Sequence, residues 1–111
     1  MSAIEDIAAE RQRQIESEGW SSSHDDEHAF GVLLKAAIGY CIPAAAALDL
    51  LAAGKVTQAA VNLAHKGSSV PRIWPFSISW WKPKDLRKDL IRAAALIAAE
   101  IDRLDRMKAR G

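Results

Sequence analysis

Between Asp85 and about Lys108 the residues Leu86, Leu90, Ala93, Ile97, Ile101 and Leu104 recur every three or four positions, and no other segment limits the fold so tightly. That spacing draws one apolar arc along an α-helix, with Asp85 as its N-cap. The opposite side carries Lys88, Arg92, Arg103 and Arg106, with Asp89, Glu100 and Asp102 three or four positions from partners. It reads as a solvated, ion-paired face. A long amphipathic helix needs other elements to cover its stripe. The rest of the chain supplies further helical patterns, so the expected fold is all-α: a small helical bundle with an N-terminal helical hairpin, an aromatic, Pro-rich loop and a long C-terminal helix.

The first helix is announced by Ser2 with Glu5 three residues on, a capping box, and is closed by Gly19. Ile4, Ile7, Ala8 and Ile15 share one face of it, and Arg11 falls in the same stripe with Gln14 and Glu18 beside it. The face therefore begins apolar and turns polar. The turn Gly19 to Ser23 leads into a second helix expected from Asp25 to Cys41, with Phe30, Leu33, Leu34, Ala37 and Cys41 as its buried stripe and Asp26 extending it backwards. A short connection favours an antiparallel hairpin, which would bring Arg11, Gln14, Glu18 and Asp26 together. Pro43 either kinks that helix or opens a new one, Pro43 to Ala53, and a further helix is expected from Lys55 to His65. Ser68 to Lys84 breaks all periodicity and holds three prolines with Trp74, Phe76, Trp80 and Trp81. Rings that large in a loop must seal a core or line a pocket.

With 111 residues there is room for one domain spanning the chain, of modest stability, so partner subunits and a homo-oligomer are expected. Fifteen Lys and Arg stand against 14 Asp and Glu, a balance that argues against a nucleic-acid-binding protein. Cys41 is the sole cysteine, which excludes an intrachain disulfide and fits the cytoplasm. Met1 to Glu10 is acidic and lacks the apolar segment of a secretory signal. The Ala-rich run from Ala36 to Ala53 is interrupted by Pro43 and Asp49 and reads as buried helix, with no membrane partner expected.

Two blocks carry a family resemblance. Glu10-Arg11-Gln12-Arg13-Gln14, Glu18-Gly19-Trp20 and His24-Asp25-Asp26-Glu27-His28 with Gly31 resemble the N-terminal signature of a group of small phage and prophage proteins. Trp74-Pro75, Trp80-Trp81-Lys82-Pro83-Lys84 and the helix through Glu100, Ile101, Arg103, Leu104 and Asp105 resemble its C-terminal half. The group usually reads Gly-Glu-Leu after the His/Asp cluster. This chain has Gly31-Val32-Leu33, which removes a carboxylate a metal-dependent reading would want.

Four chemistries can be written on these residues. The first is capture of a nucleotide-like molecule without catalysis and without a cofactor. Trp20, Trp80 and Trp81 would stack a base, Arg11 and Lys82 would meet an anion, and Gln14, Glu18, His24, Asp25, Asp26 and His28 would serve hydroxyls. In a phage setting this is a sponge for a host immune signal, by analogy alone. The second is an all-α metal-dependent nucleotide pyrophosphohydrolase using Glu10, Glu18, Asp25, Asp26 and Glu27, which lack the paired Glu-x-x-Glu spacing such magnesium sites use. A transition-metal site at His24 and His28 needs a third ligand. Cys41, on an apolar stripe, is a poor nucleophile. A helical interaction protein, with Arg11 paired to Asp26 or Glu18 to fix the hairpin and the tryptophans as core, is the plain alternative to all four.

Overall fold

The computed structural model describes residues 2–20, 22–26 and 31–110, with the backbone alone at 22 and 24. α1 (Ala3–Glu18) starts at the expected capping box: the Glu5 amide donates to Ser2 Oγ at 3.2 Å and the Ser2 amide to Glu5 Oε1 at 3.3 Å. It ends at Gly19, whose φ of 70° is the left-handed conformation that glycine adopts without a Cβ penalty. α2 (Ser22–Asp26) is a single turn. α3 (Val32–Ala52) and α4 (Gln58–Lys66) follow, the latter capped by Thr57. A 3₁₀ turn at Ile78–Trp80 leads to α5 (Leu86–Ala109), capped by Asp85, which accepts from the Lys88 amide at 2.8 Å. The bundle is all-α among the described residues.

Three boundaries differ from the sequence expectation, one of them the start of α4, which is Gln58 after the Thr57 cap and not Lys55. The second helix does not run unbroken from Asp25 to Cys41: residues 27–30 lie outside the described ones, and Gly31 with φ 73° stands immediately before α3. A left-handed residue cannot continue a right-handed helix. Pro43 neither ends nor starts an element. α3 passes through it, because the stripe Leu33, Ala36, Ala37, Tyr40, Ala44 and Ala47 is buried along both halves. That shared burial outweighs one lost backbone bond.

α3 and α5 lie antiparallel. Tyr40 Oη meets Arg92 at 3.4 Å in mid-helix, while Asp26, just ahead of α3, pairs with Arg106 and Arg110 at the far end of α5. Between them Leu33, Ala36, Ala37 and Tyr40 pack with Ala93, Leu96 and Ala99, and Trp74 and Trp81 close this cluster from above. Gly39 is the point of closest approach: a Cβ there would come within 3.1 Å of the Trp74 ring. A second cluster joins Ala44 and Ala47 to Val61 of α4 and Leu86 of α5. α1 packs on α5.

The apolar arc of α5 is only partly core, which corrects its reading as one buried stripe. Leu86 and Ala93 are buried, but Leu90 and Ile97 are 39% exposed, Leu104 50% and Ile101 53%. The buried side includes Asp89, Ala95, Ala99, Glu100 and Arg103. The reason is that α5 is contacted by both α1 and α3. Alanines let those helices approach closely, and Arg103, expected in solvent, is buried against Glu100. Leu34, expected inside, is 44% exposed and Cys41 half-buried; Phe30 lies outside the described residues. One described helix, α3, is long and apolar enough to cross a membrane by length and composition, with 39% of its most apolar stretch buried in the fold.

Candidate functional site

A cleft opens where α1, the aromatic loop and α5 meet. Its inner recess, about 60 Å³, is walled by Trp20, Tyr40, Trp74, Phe76 and Trp80. It leads outward into a wider hollow of about 590 Å³ bordered by Arg13, Lys82, Lys84, Lys88 and Arg92. Glu10, Arg13, Glu18, Lys82 and Arg92 line both parts, so the two form one continuous depression. The cleft is thus aromatic at its inner end and basic at its mouth, with Asp6, Glu10 and Glu18 as its carboxylates.

Each wall is fixed by packing or by hydrogen bonds. Trp74 donates from its indole to Ser77 O at 3.2 Å and Trp81 to Ser68 O at 2.9 Å, so the polar edges of both buried rings are satisfied. Tyr40 stacks on Trp81 with centroids 5.1 Å apart and meets the edge of Trp74 at 5.3 Å. Burial raises the Tyr40 phenol above its ordinary pKa, so it stays protonated in neutral solution. Trp80, 54% exposed, stands where the recess opens towards the mouth, with the Lys82 ammonium 5.9 Å over its ring. α5 fastens the mouth from below: Arg92 donates to Lys82 O at 2.7 Å, and the Lys84 amide donates to both oxygens of Asp89 at 3.1 Å. Asp89 in turn lies 2.7 Å from His65 Nε2, and both side chains are buried. Burial holds the Asp89 carboxyl above the usual carboxylate range, against the opposing pull of the Lys84 amide and His65.

On the α1 wall, Arg13 lies between Glu10, at 2.7 Å, and Glu18, at 3.0 Å. The hydrogen bond to Glu10 holds its guanidinium further into the protonated range. Gln14, buried, donates to Glu10 Oε2 at 3.3 Å. Arg11 points elsewhere. It pairs with Asp25, whose side chain is fully buried, and donates to Trp20 O at 3.1 Å.

The structure therefore divides the residues singled out in the sequence. Gln14, Glu18, Trp20, Trp80 and Lys82 border the cleft. Arg11 and Asp25 form a closed pair behind it and do not line it. Asp26 holds the C-terminal end of α5 through Arg106 at 2.8 Å and Arg110 at 3.1 Å, so it leaves the expected convergence, while Arg11 keeps a contact to Gln14 Oε1 at 3.5 Å and Glu18 turns to Arg13. Trp81 is core. The side chain of His24, and His28 and Glu27 entirely, lie outside the described residues. Arg13, Tyr40, Lys84, Lys88 and Arg92 border the cleft but were not picked out for binding from the sequence, and Glu10 was named there only as a magnesium candidate. Arg13 stands two residues from Arg11, about 200° round the helix, and only the fold tells which of the two faces the opening.

The site offers aromatic faces beside ammonium and guanidinium groups. Its carboxylates are engaged by arginines, Glu10 and Glu18 by Arg13 and Asp6 by Arg87. Among the described residues no three His, Cys, Asp or Glu side chains gather as a metal would require. Comparison of this chain with protein-family models, with curated proteins and with solved structures gives no match, so the chemistry of the cleft is read from its own residues.

Proposed function

We propose that the protein captures a small nucleotide-like molecule in this cleft and holds it unchanged. The observation that carries the reading is the polarity of the depression: stacking surfaces at Trp20 and Trp80 inside, and Lys82, Lys84, Lys88 and Arg92 outside. A base or nicotinamide-type ring gains stacking energy from any aromatic face, roughly 1–3 kcal/mol per ring. Phosphates gain charge-assisted hydrogen bonds at the mouth. Tyr40 Oη, Gln14 and Glu18 offer donors and acceptors to ribose hydroxyls in between. In biological terms the reading is a phage-type sponge that removes a nucleotide-derived immune signal in the host cytoplasm.

Hydrolysis is the second reading, with magnesium held by the α1 carboxylates, and the arginine on each of these acids favours capture over it. One experiment separates them. The protein is incubated with cyclic dinucleotides or ADP-ribose derivatives and magnesium, its melting temperature is recorded, and the heat-released contents are chromatographed. Capture predicts a raised melting point and intact ligand in the supernatant. Pyrophosphate or nucleoside monophosphate in its place assigns an enzyme. No shift with any anion of this class ends the reading.

A further inference from the structure

Among the described residues the molecule is built in two layers, and one of them is bare on its outer side. α1, α4 and the aromatic loop all lie on one side of the α3–α5 pair. At about 100° per residue, the residues of α3 and α5 that meet α1, α4 and the tryptophans point to that side. The flank pointing the other way carries Leu34, Ile38, Cys41, Ala45 and Leu48 on α3, and Leu90, Ala94, Ile97, Ile101 and Leu104 on α5. In each helix these residues alternate at three- and four-residue steps, the spacing of a coiled-coil seam. None is charged, and the large ones among them are 37–53% exposed.

We infer that this face is the two-fold interface between two copies of the chain, with α5 of one copy running antiparallel to α5 of the other across Ile97. Three observations choose a second copy as the occupant. The first is area. The protein exposes 6904 Å², whereas a folded monomer of 12.1 kDa is expected to expose roughly 6,000 Å². The excess is of the order of one partner's share of a standard interface, roughly 800 Å². The seven large side chains of the seam expose roughly 550 Å² of it, more than a monomer ordinarily leaves in one apolar patch of a few hundred Å². The second is self-complementary spacing. Leu90 and Leu104 stand seven residues on either side of Ile97, so antiparallel copies place Leu90 opposite Leu104 and Ile97 opposite itself. The third is charge. Arg87 flanks the seam at the start of α5, its side chain 61% exposed even while one nitrogen holds Asp6, and Asp105 flanks it on the same side near the end. Antiparallel pairing sets each beside the other's opposite. Such an isologous contact buries the same patch twice and closes at two copies. The inference is independent of what the cleft binds.

Sedimentation equilibrium of the full chain at micromolar concentration tests it. The wild type is expected at twice the chain mass. Ile97→Glu, which sets two like charges face to face at the dyad, is expected at the chain mass with its helical circular dichroism intact. Mixing Ile97→Glu with Ile97→Lys is expected to restore the doubled mass as a one-to-one species, since opposite charges then meet. Ile97→Ala with Ile101→Ala, which adds no charge and keeps helix propensity, should weaken the dimer at least roughly tenfold, so the test does not hang on one variant folding. A monomeric wild type overturns the inference, as does a dimer that survives Ile97→Glu. A monomer that floats with neutral phosphatidylcholine vesicles gives the face to a lipid surface instead.

Discussion

Two arginines on α1, two residues apart, behave as different kinds of residue. Arg11 is 14% exposed and closes on a carboxylate that is fully buried; Arg13 is 40% exposed and shares two carboxylates at the edge of an open cleft. The same side chain is a structural tie in one region and part of a binding wall in the other. What differs is the neighbour and the water. The Asp25 side chain is shut off from solvent, whereas Glu10 and Glu18 keep 13% and 25% of theirs in it. Rings and charges near α1 are thus sorted by burial into a closed knot and an open mouth.

The sharpest way to break that distinction is to remove each arginine in turn. Arg11→Ala takes the guanidinium away from a fully buried carboxylate, a change that typically destabilises by about 3–5 kcal/mol. Arg13→Ala should cost less, about 1 kcal/mol, because its guanidinium is 40% exposed and water screens the pair. Urea unfolding followed at 222 nm, the standard helix band, reads both. Equal losses would mean that the knot and the mouth are one network. Arg11→Ala should also lower ligand capture only as far as it lowers the folded population.

The His65–Asp89 pair extends the comparison to α5. Asp89→Ala removes the acceptor of the Lys84 amide and leaves that donor and His65 without a partner, a loss of about 2–3 kcal/mol. Asp89→Asn keeps an acceptor for the amide and should recover most of it. The pKa direction gives the sign. Burial raises the Asp89 carboxyl above its unfolded value, so the folded state binds its proton more tightly, and this group's contribution to stability is lost as pH rises through the folded pKa. A neutral amide has no such loss, so the gap between Asp89→Asn and wild type should narrow from acid to neutral pH. Were Asn as damaging as Ala, the negative charge itself would be what holds His65.

Much of the fold was legible in the sequence, and the reasons it was not all legible are specific. Ser2, Glu5, Gly19 and Asp85 act within a few residues of themselves, so the caps and both ends of α1 follow from local chemistry. Pro43 misleads because a local penalty is outweighed by burial spread along the whole of α3. The arc of α5 misleads more deeply. Periodicity finds that Leu90, Ile97, Ile101 and Leu104 share a side, but alanine and paired charges, which score as neutral or polar, are what the neighbouring helices press against. For the site, the aromatic loop and the polar end of α1 stand out in composition alone. The choice of Arg13 over Arg11, and the part of Arg92, depends on α5 lying against both α1 and α3.

The mouth can be probed without touching the knot. Trp80 is 54% exposed and is not part of either core cluster, so Trp80→Ala should leave stability within about 0.5 kcal/mol. If the ring stacks a ligand, affinity falls by about 1–3 kcal/mol, roughly tenfold to a hundredfold, in calorimetry with whichever nucleotide raises the melting point. Lys82→Ala should weaken the same binding less and reduce its salt dependence, since it removes a charge from the mouth and leaves the stacking surface. Unchanged affinity in Trp80→Ala would move the ligand away from the inner recess.

The smallest effect lies at the far end of α5, where the comparison turns on solvent. Asp26 faces Arg106 and Arg110 as Asp25 faces Arg11, one position apart in the chain, yet Asp26 reaches water. The Arg106 hydrogen bond lowers the Asp26 carboxyl below its ordinary value near 4, and Arg110 adds to it. A depressed carboxylate contributes stability above its unfolded pKa, and that contribution is lost as pH falls through the folded one. Hydrogen exchange should therefore show the last turns of α5 opening faster below about pH 4, and Asp26→Asn should flatten that dependence. Added salt should mimic the variant, because exposed ion pairs are screened. The Arg11–Asp25 pair should resist the same salt, being shielded from it by the fold. If both pairs weakened together in salt, Asp25 would have to be reached by water, and the separation of knot from mouth would fail.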